Sequence, residues 1–340
     1  MAGAPKKMTS ESLLAFDEIH TRTKQENLDR MMEQVAERVH EIKNDSRLAE
    51  ACPICREPDY SSFAHRFGFQ LDRCHGCNHI FCNPMPNKAQ LDCYYNSSMK
   101  AFENQFFLES FENRVPIFSR RIEIILEHLE GGKLLDVGSA VGIFLAALDR
   151  ADAPFDVHCC DPSKDACDRL RLAHPNISLH QKMIEELDMP GVFDAVTMWD
   201  TLEHIRDPHE VATAVRRCLK SGGLWFFSTP NTQSFEWSIA GTDHVQILPP
   251  GHINLFNLKS IEVLLKNVGF ELLDAHTLNG FLDVTYVRKL LAQGKSEYLH
   301  RAGTFIADRI NDDDFCQALA GALVASRLGG NILIVAKRSD

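Results

Sequence analysis

No stretch of this sequence is both apolar and long enough to cross a membrane. The strongest runs, Leu224–Phe227 and Ile332–Ala336, have strand length, against about 18 residues for a span. The opening residues MAGAPKKMTSES carry two lysines and no apolar core, so they are not read as a secretory signal, and the expected location is cytoplasmic. Positive charge is also short. Lys and Arg number 36 against 47 Asp and Glu, a formal net charge of −11, which argues against a basic footprint for nucleic acid. There is no proline between Pro5 and Pro53 and no glycine between Gly3 and Gly68, so nothing there breaks a helix. Leu28, Met31, Met32, Val35, Val39 and Ile42 recur at spacings of three and four, the apolar stripe of a helix whose other face is charged. That stripe is expected to pack on its own protein or on a partner, a second copy included.

What is present points to about two domains in 340 residues. The 11 cysteines are an odd number in a chain long enough to fold without disulfides, so they read as reduced thiols with a metal-binding subset. Cys52-Pro-Ile-Cys55 and Cys74-His-Gly-Cys77, separated by 18 residues, supply that subset. Two residues between cysteines let both thiolates reach one tetrahedral ion, and four protein ligands leave no open position, so the site predicts a structural zinc. Cys82, Cys93, His75 and His79 lie nearby and are expected to pack around it.

After Asn96 the pattern is helical to about Leu129 and stops at Gly131-Gly132. From Lys133 strands and helices alternate: KLLDVG, VHCCD, ISLHQ, FDAVTMWD, LWFFSTP, ELLDAHTL and NILIVAKR read as strands. HEVATAVRRCLK reads as a helix closed by Ser221-Gly222-Gly223. Such alternation predicts a mostly parallel sheet with helices on both faces. Residues 281–328 read as a helical insertion before the last strand. The expected divisions are a helical extension over 1–50, a zinc ribbon over 51–96 and a larger α/β domain over 97–340.

Leu134-Leu135-Asp136-Val137-Gly138-Ser139-Ala140-Val141-Gly142 places glycines between a strand and a helix, where positive φ and close backbone approach are needed. The spacing is not GxGxxG, so hydride transfer on a dinucleotide is disfavoured. Asp161 ends the second strand, where a carboxylate can take both ribose hydroxyls, and Pro162 opens the next helix. Lys182-Met183-Ile184-Glu185-Glu186 follows the third strand, where Met183 and Ile184 can flank a flat base. Together these suggest an adenosyl cofactor.

LLDVGSAVGIFL resembles motif I of the class I S-adenosylmethionine-dependent methyltransferases, FDAVTMWDTLEHIRDP their fourth-strand segment, and GHINLFNLKSIEVLLKNVGFEL the segment after their fifth strand. The leading CxxC…CxxC…NPMP resembles the zinc-binding module of a branch of bacterial sugar and small-molecule methyltransferases. The resemblance covers about Cys52 to Lys337, leaving out the insertion. It implies a seven-stranded doubly wound, Rossmann-like sheet with a reversed last strand. It also implies S-adenosylmethionine held by Asp136, Gly138, Ser139, Gly142, Asp161, Pro162, Met183, Ile184, Asp200 and Thr201. The middle glycine of motif I is replaced by Ala140.

On the acceptor side, Glu203 and His204 follow the fourth strand and His252 the fifth, so a histidine can take a proton from a hydroxyl acceptor. Each histidine could equally cap or hold a loop. With Glu203 the two could instead bind a divalent ion. The reading is methyl transfer to a hydroxyl of a sugar or related metabolite. Carbon methylation of a ketosugar is the enzymatic rival, and a non-catalytic fold that recruits a partner is the other.

Overall fold

The structure, a computed structural model, describes residues 22–278 and 280–340. The first helix among the described residues, Arg22–Glu41, turns its predicted stripe inward: Met32, Val35, Ala36 and Val39 are buried with Phe69, Tyr94 and Met99. Gln90 Nε2 donates to the Val39 carbonyl and the His40 ring meets the Phe67 carbonyl, so the stripe is covered by the chain's own residues.

The cysteine segment forms three short strands, β1 (Tyr60–Arg66), β2 (Phe69–Cys74) and β3 (Ile80–Cys82), paired antiparallel. The larger sheet begins with β4 (Gly132–Val137), β5 (Phe155–Cys160), β6 (Ser178–His180), β7 (Phe193–Trp199) and β8 (Leu219–Pro230), all parallel. β9 (Asn254–Leu255) leaves this unit and pairs with β3, giving the small sheet the order β1-β2-β3-β9. β10 (Phe270–Leu278) and β11 (Asn331–Arg338) complete the large sheet in the order β10-β11-β8-β7-β4-β5-β6. β11 runs antiparallel to both its neighbours, which is the expected reversed last strand.

The central strands are apolar on both faces because helices cover both. One face of β7 and β8 sends Val196, Met198, Trp225 and Phe227 against the helices Pro208–Cys218 and Leu258–Val268. The other sends Ala195, Leu224 and Phe226 against Ser119–His128 and Ile143–Arg150. The crossovers thus deliver every parallel strand with its carboxyl end at one rim, where open α/β sheets bind ligands.

Two expectations change. The helix expected to run to about Leu129 is broken into Ser98–Glu109, Phe111–Arg114, a 3₁₀ turn Val115–Phe118 and Ser119–His128. Pro116 has no N–H to continue the ladder, and the Ser110 hydroxyl donates back to the Phe106 carbonyl. Ser221-Gly222-Gly223 does not close a helix either. The helix stops at Cys218 and these residues lie inside β8, which pairs through a register shift beside Phe193 and Ala195 and carries Gly222 at φ +71°.

Residues 281–328 form helices within Gly280–Ala292, Ser296–Arg309 and Asp313–Ala325. They bury Val284, Val287, Leu290, Tyr298 and Leu323 against Ile239 and Ala240. At the base of the insertion Gly330 N–H donates to Asp283 Oδ2 at 2.7 Å, beneath the buried Glu236. A Cβ at Gly330 would land on Glu236 Oε1 and lie 2.7 Å from Asp283 Oδ1. Gly330→Ala is therefore expected to lower unfolding free energy by about 1–3 kcal/mol, as overpacking does. Urea unfolding that shows wild-type stability would contradict this packing.

Candidate active site

The loop after β4 takes its shape from three left-handed residues, Gly138 (φ +76°), Ala140 (φ +46°) and Gly142 (φ +85°). A Cβ at Gly138 would sit 2.8 Å from Thr201 Oγ1, so glycine is what lets this loop approach the turn after β7. Ala140 adopts the conformation that glycine would take more cheaply, and its N–H donates to Asp161 Oδ2 at 2.9 Å. The other Asp161 oxygen accepts from Ser163 N–H at 2.8 Å. Each carboxylate oxygen has accepted one hydrogen bond and has a second lone-pair direction left. Asp161 thus both braces the glycine loop and remains able to take hydroxyl donors. Burial raises its pKa, opposed by those two N–H groups.

Asp136 lies beneath the loop rather than on it. It is buried and accepts from Thr197 Oγ1 at 2.8 Å, and desolvation pushes it up to about 6. Ser139 Oγ closes the turn on the Asp136 carbonyl. After β6, Met183 stands exposed while Ile184 is buried in the main core, so only the first is free to lie against a base. Pro162 does not open the next helix as expected: it precedes Ser163, whose side chain caps the helix Lys164–Ala173.

At the end of β7 Asp200 sits at φ +47°, held by Ser228 Oγ and Asn331 Nδ2 on one oxygen and by Arg121 Nη2 on the other. Around it Trp199 Nε1, Arg121 Nε and Asn331 Oδ1 are buried without hydrogen-bond partners. Buried polar atoms are rarely left unpaired, so these orphans at the glycine-loop rim fit a polar ligand such as the methionine end of an adenosyl cofactor. Thr201 Oγ1 donates to the Trp199 carbonyl and does not face outward freely.

The next turn brings the three acceptor-side residues together. One donor atom each of Glu203, His204 and His252 lies within 4.8 Å of the others. The imidazoles of His204 and His252 meet edge to face, centroids 4.7 Å apart. His204 Nδ1 contacts the Gly251 carbonyl at 2.9 Å and His252 Nδ1 the Gln246 carbonyl at 2.9 Å. A carbonyl can only accept, so Nδ1 carries the proton in both rings and each Nε2 keeps its lone pair. Desolvation holds His204 well below the ordinary histidine range and brings His252 down to about 4. Glu203 is buried, accepts from Thr229 Oγ1 at 2.9 Å, and is pushed up to about 8 by the same desolvation.

The four predicted metal ligands also converge, with all four sulfurs within 4.8 Å of one another. Sγ of Cys52 and Cys77 are 3.7 Å apart, and those of Cys55 and Cys74 are 3.4 Å apart. A tetrahedral ion with bonds of about 2.3 Å requires sulfur separations of about 3.8 Å, so the donor set fits zinc. Around the knuckles, the His209 ring and Asn267 Nδ2 both meet the Ile54 carbonyl, and Asn257 Nδ2 meets that of Cys77.

Several residues at this rim carry no sequence signal. Tyr95 stands edge-on to His204, centroids 6.3 Å apart. The Lys100 ammonium lies 5.8 Å from the Tyr95 ring centre, pairs with Glu103 at 2.6 Å, and opposes protonation of both imidazoles. They come from the broken helices between the cysteine segment and β4, where no motif spacing marks them. The Tyr94-Tyr95 doublet is the one compositional hint.

A family model described as a methyltransferase domain matches residues 111–275. The ubiquinone biosynthesis O-methyltransferase of Xanthomonas euvesicatoria is 30% identical over 167 residues, which cover 45% of this chain and 70% of that protein. The protein of the same description from Bordetella avium is 29% identical over 174 residues, 48% of this chain and 71% of that one. That of Sodalis glossinidius is 34% identical over 139 residues, where the match spans 56% of the relative's length. A solved SAM-dependent methyltransferase from Archaeoglobus fulgidus is 15% identical with a TM-score of 0.46, covering 68% of this chain and 99% of that one.

The raised Glu203 pKa has a measurable sign. The folded state holds this proton up to about pH 8 while the unfolded chain releases it near 4.3, so wild-type stability should fall across that window and level off above it. Glu203→Gln removes the titration. Relative to wild type the variant should gain on the order of a few kcal/mol between pH 5 and pH 8. Parallel denaturation curves with no widening difference would show that Glu203 is not desolvated.

Proposed function

Because the chain belongs to the S-adenosylmethionine-dependent methyltransferases, we propose that it methylates a hydroxyl of a small molecule seated against His204 and His252. The observation that carries the acceptor site is the pair of half-buried imidazoles with both Nδ1 atoms tied to carbonyls and both Nε2 lone pairs unspent. The relatives named O-methyltransferases support oxygen rather than the carbon of a ketosugar as the receiving atom. A sugar or related metabolite is the acceptor class we favour, with Tyr95 and Lys100 as a further wall of its seat. The retained Asp161 and the acceptor-side cluster support an enzyme over a fold that only recruits a partner.

S-adenosylmethionine, bound at the glycine loop, would supply an activated methyl group. The chain's own residues do the rest. Gly138, Ser139 and Gly142 shape the loop, Asp161 takes the ribose hydroxyls, Met183 lies against the base, and Asp200 with Thr201 borders the methionine end. Either Nε2 can receive the acceptor proton, and burial of the seat keeps water from competing. We assign one structural zinc to Cys52, Cys55, Cys74 and Cys77, and residues 1–50, 51–96 and 97–340 as the units of the chain. A second reading rests on the convergence of Glu203, His204 and His252 within 4.8 Å: the same atoms suit a divalent ion that would acidify the hydroxyl. Turnover abolished by a chelator that leaves one zinc bound would favour that reading.

Replacing Asp161 with alanine should weaken S-adenosylmethionine binding by about 1.5–3 kcal/mol, since a charge-assisted pair of hydrogen bonds is lost. Calorimetry showing equal affinity, or no binding to wild type, contradicts the assignment.

Metal analysis of protein purified without chelators should find about one zinc per chain. Cys74→Ser should lower the melting temperature far more than it lowers cofactor affinity, because the metal contributes to folding.

With His252 at about 4 and His204 also lowered, turnover should be flat from pH 6 to 8 and decline only below about pH 5. His252→Ala should reduce turnover about 10²–10⁴-fold if it is the base, with cofactor affinity kept. A rate that climbs through pH 6.5, or near-normal turnover in both His204→Ala and His252→Ala, would remove the histidines from proton transfer.

A further inference from the structure

His79 and Asn254 are both fully buried, and neither belongs to the residues assigned above to metal, cofactor or acceptor. Asn254 Nδ2 donates to the Ile205 carbonyl at 2.6 Å, which fixes the amide and turns Oδ1 toward the ring of His79, 2.8 Å from Nε2. An amide oxygen can only accept, so the His79 proton is on Nε2 and its orphaned Nδ1 is a bare acceptor. The two ends of this link are informative. The His79 carbonyl accepts from Cys74 N–H at 2.9 Å, inside the second cysteine knuckle. Ile205 and Asn254 lie one and two residues beyond His204 and His252.

The backbone repeats the connection. Cys82 N–H donates to the Ile253 carbonyl at 2.9 Å, and Ile253 N–H donates to the Glu203 carbonyl at 2.9 Å. Strand β3 pairs Phe81 with Asn254. A side-chain link from His79, whose carbonyl closes the second knuckle, and a backbone link from the following strand β3 therefore run in parallel to the turns that hold the two imidazoles.

We propose that His79 and Asn254 are positioning residues through which the four-cysteine cluster sets the placement of the His204 and His252 imidazoles. This rests on the reading that those imidazoles face the acceptor. It extends that reading by making the cluster part of the acceptor site's geometry while leaving cofactor binding independent of it.

The test uses full-length protein labelled with ¹⁵N-histidine, and reads the Nδ1–H resonances of His204 and His252, bound zinc, and S-adenosylmethionine affinity. Glutamine reproduces the reach of a histidine Nε2 donor and asparagine does not. His79→Asn should keep one zinc and cofactor affinity within about twofold, yet shift or broaden both resonances. His79→Gln should return them toward wild-type positions. Resonances unmoved in His79→Asn, equal disturbance in both variants, or loss of zinc from His79→Asn would each overturn the proposal. If His79→Asn does not fold, Asn254→Asp, which removes the donor to Ile205, is read the same way. Failure of both to fold would make the link merely structural and overturn it as well. Wild-type protein that binds no S-adenosylmethionine would strike the functional reading alone, since these resonances need no acceptor.

Discussion

A single backbone hydrogen bond, from Ile253 N–H to the Glu203 carbonyl at 2.9 Å, closes the loop after β8 onto the turn after β7. Parallel strands end at one rim, but the loops that leave them have no ladder to hold them together. Here that bond, with Asn254 Nδ2 on the Ile205 carbonyl, gives two separate loops one shared frame. The imidazoles can then stand 4.7 Å apart with defined tautomers, because the carbonyls that orient them belong to the same loop. The small sheet meets this frame at β9, which is two residues long and pairs with β3.

Desolvation gives the rim its electrostatic character. Asp136, Glu203 and His252 are displaced in the directions that favour their uncharged forms, to about 6, about 8 and about 4. Asp200 is the exception, with its side chain partly open to solvent and a buried arginine beside it. Near neutral pH this leaves Glu203 and His252 uncharged at the turn beyond β7 and the loop beyond β8, while Asp136, at about 6, is mostly ionised beneath the glycine loop.

Much of this was legible in the residues. The strand positions, the glycine loop, Asp161 and the cysteine knuckles carry local signals: apolar runs of strand length, glycine at φ > 0, and CxxC spacing, while the reversed β11 was implied by the family resemblance. The places of Glu203, His204 and His252 after two strands were legible too, but their convergence within 4.8 Å was not. What could not be read was contact between segments far apart in the chain. Asn254 meeting His79, Tyr95 facing His204 and Asn331 reaching Asp200 depend on how loops pack, and no periodicity encodes that. The same holds for Pro116, which interrupts a helix whose apolar spacing continues past it. Depth of burial was equally hidden, so an ordinary histidine pKa could not be told from one lowered by desolvation.

The insertion leaves the sheet at Leu278 and returns at Asn331, and those two residues are paired across β10 and β11. In topological terms it is an enlarged hairpin loop of 52 residues whose ends are already joined by the strands. The entropy of closing such a loop grows only with the logarithm of its length. Carrying 52 residues instead of a tight turn costs about 2 kcal/mol of closure, before the insertion's own core is counted. This junction therefore admits changes in length that the sheet would scarcely register, and a chain can acquire or shed a helical subdomain there without re-registering any strand that carries the site.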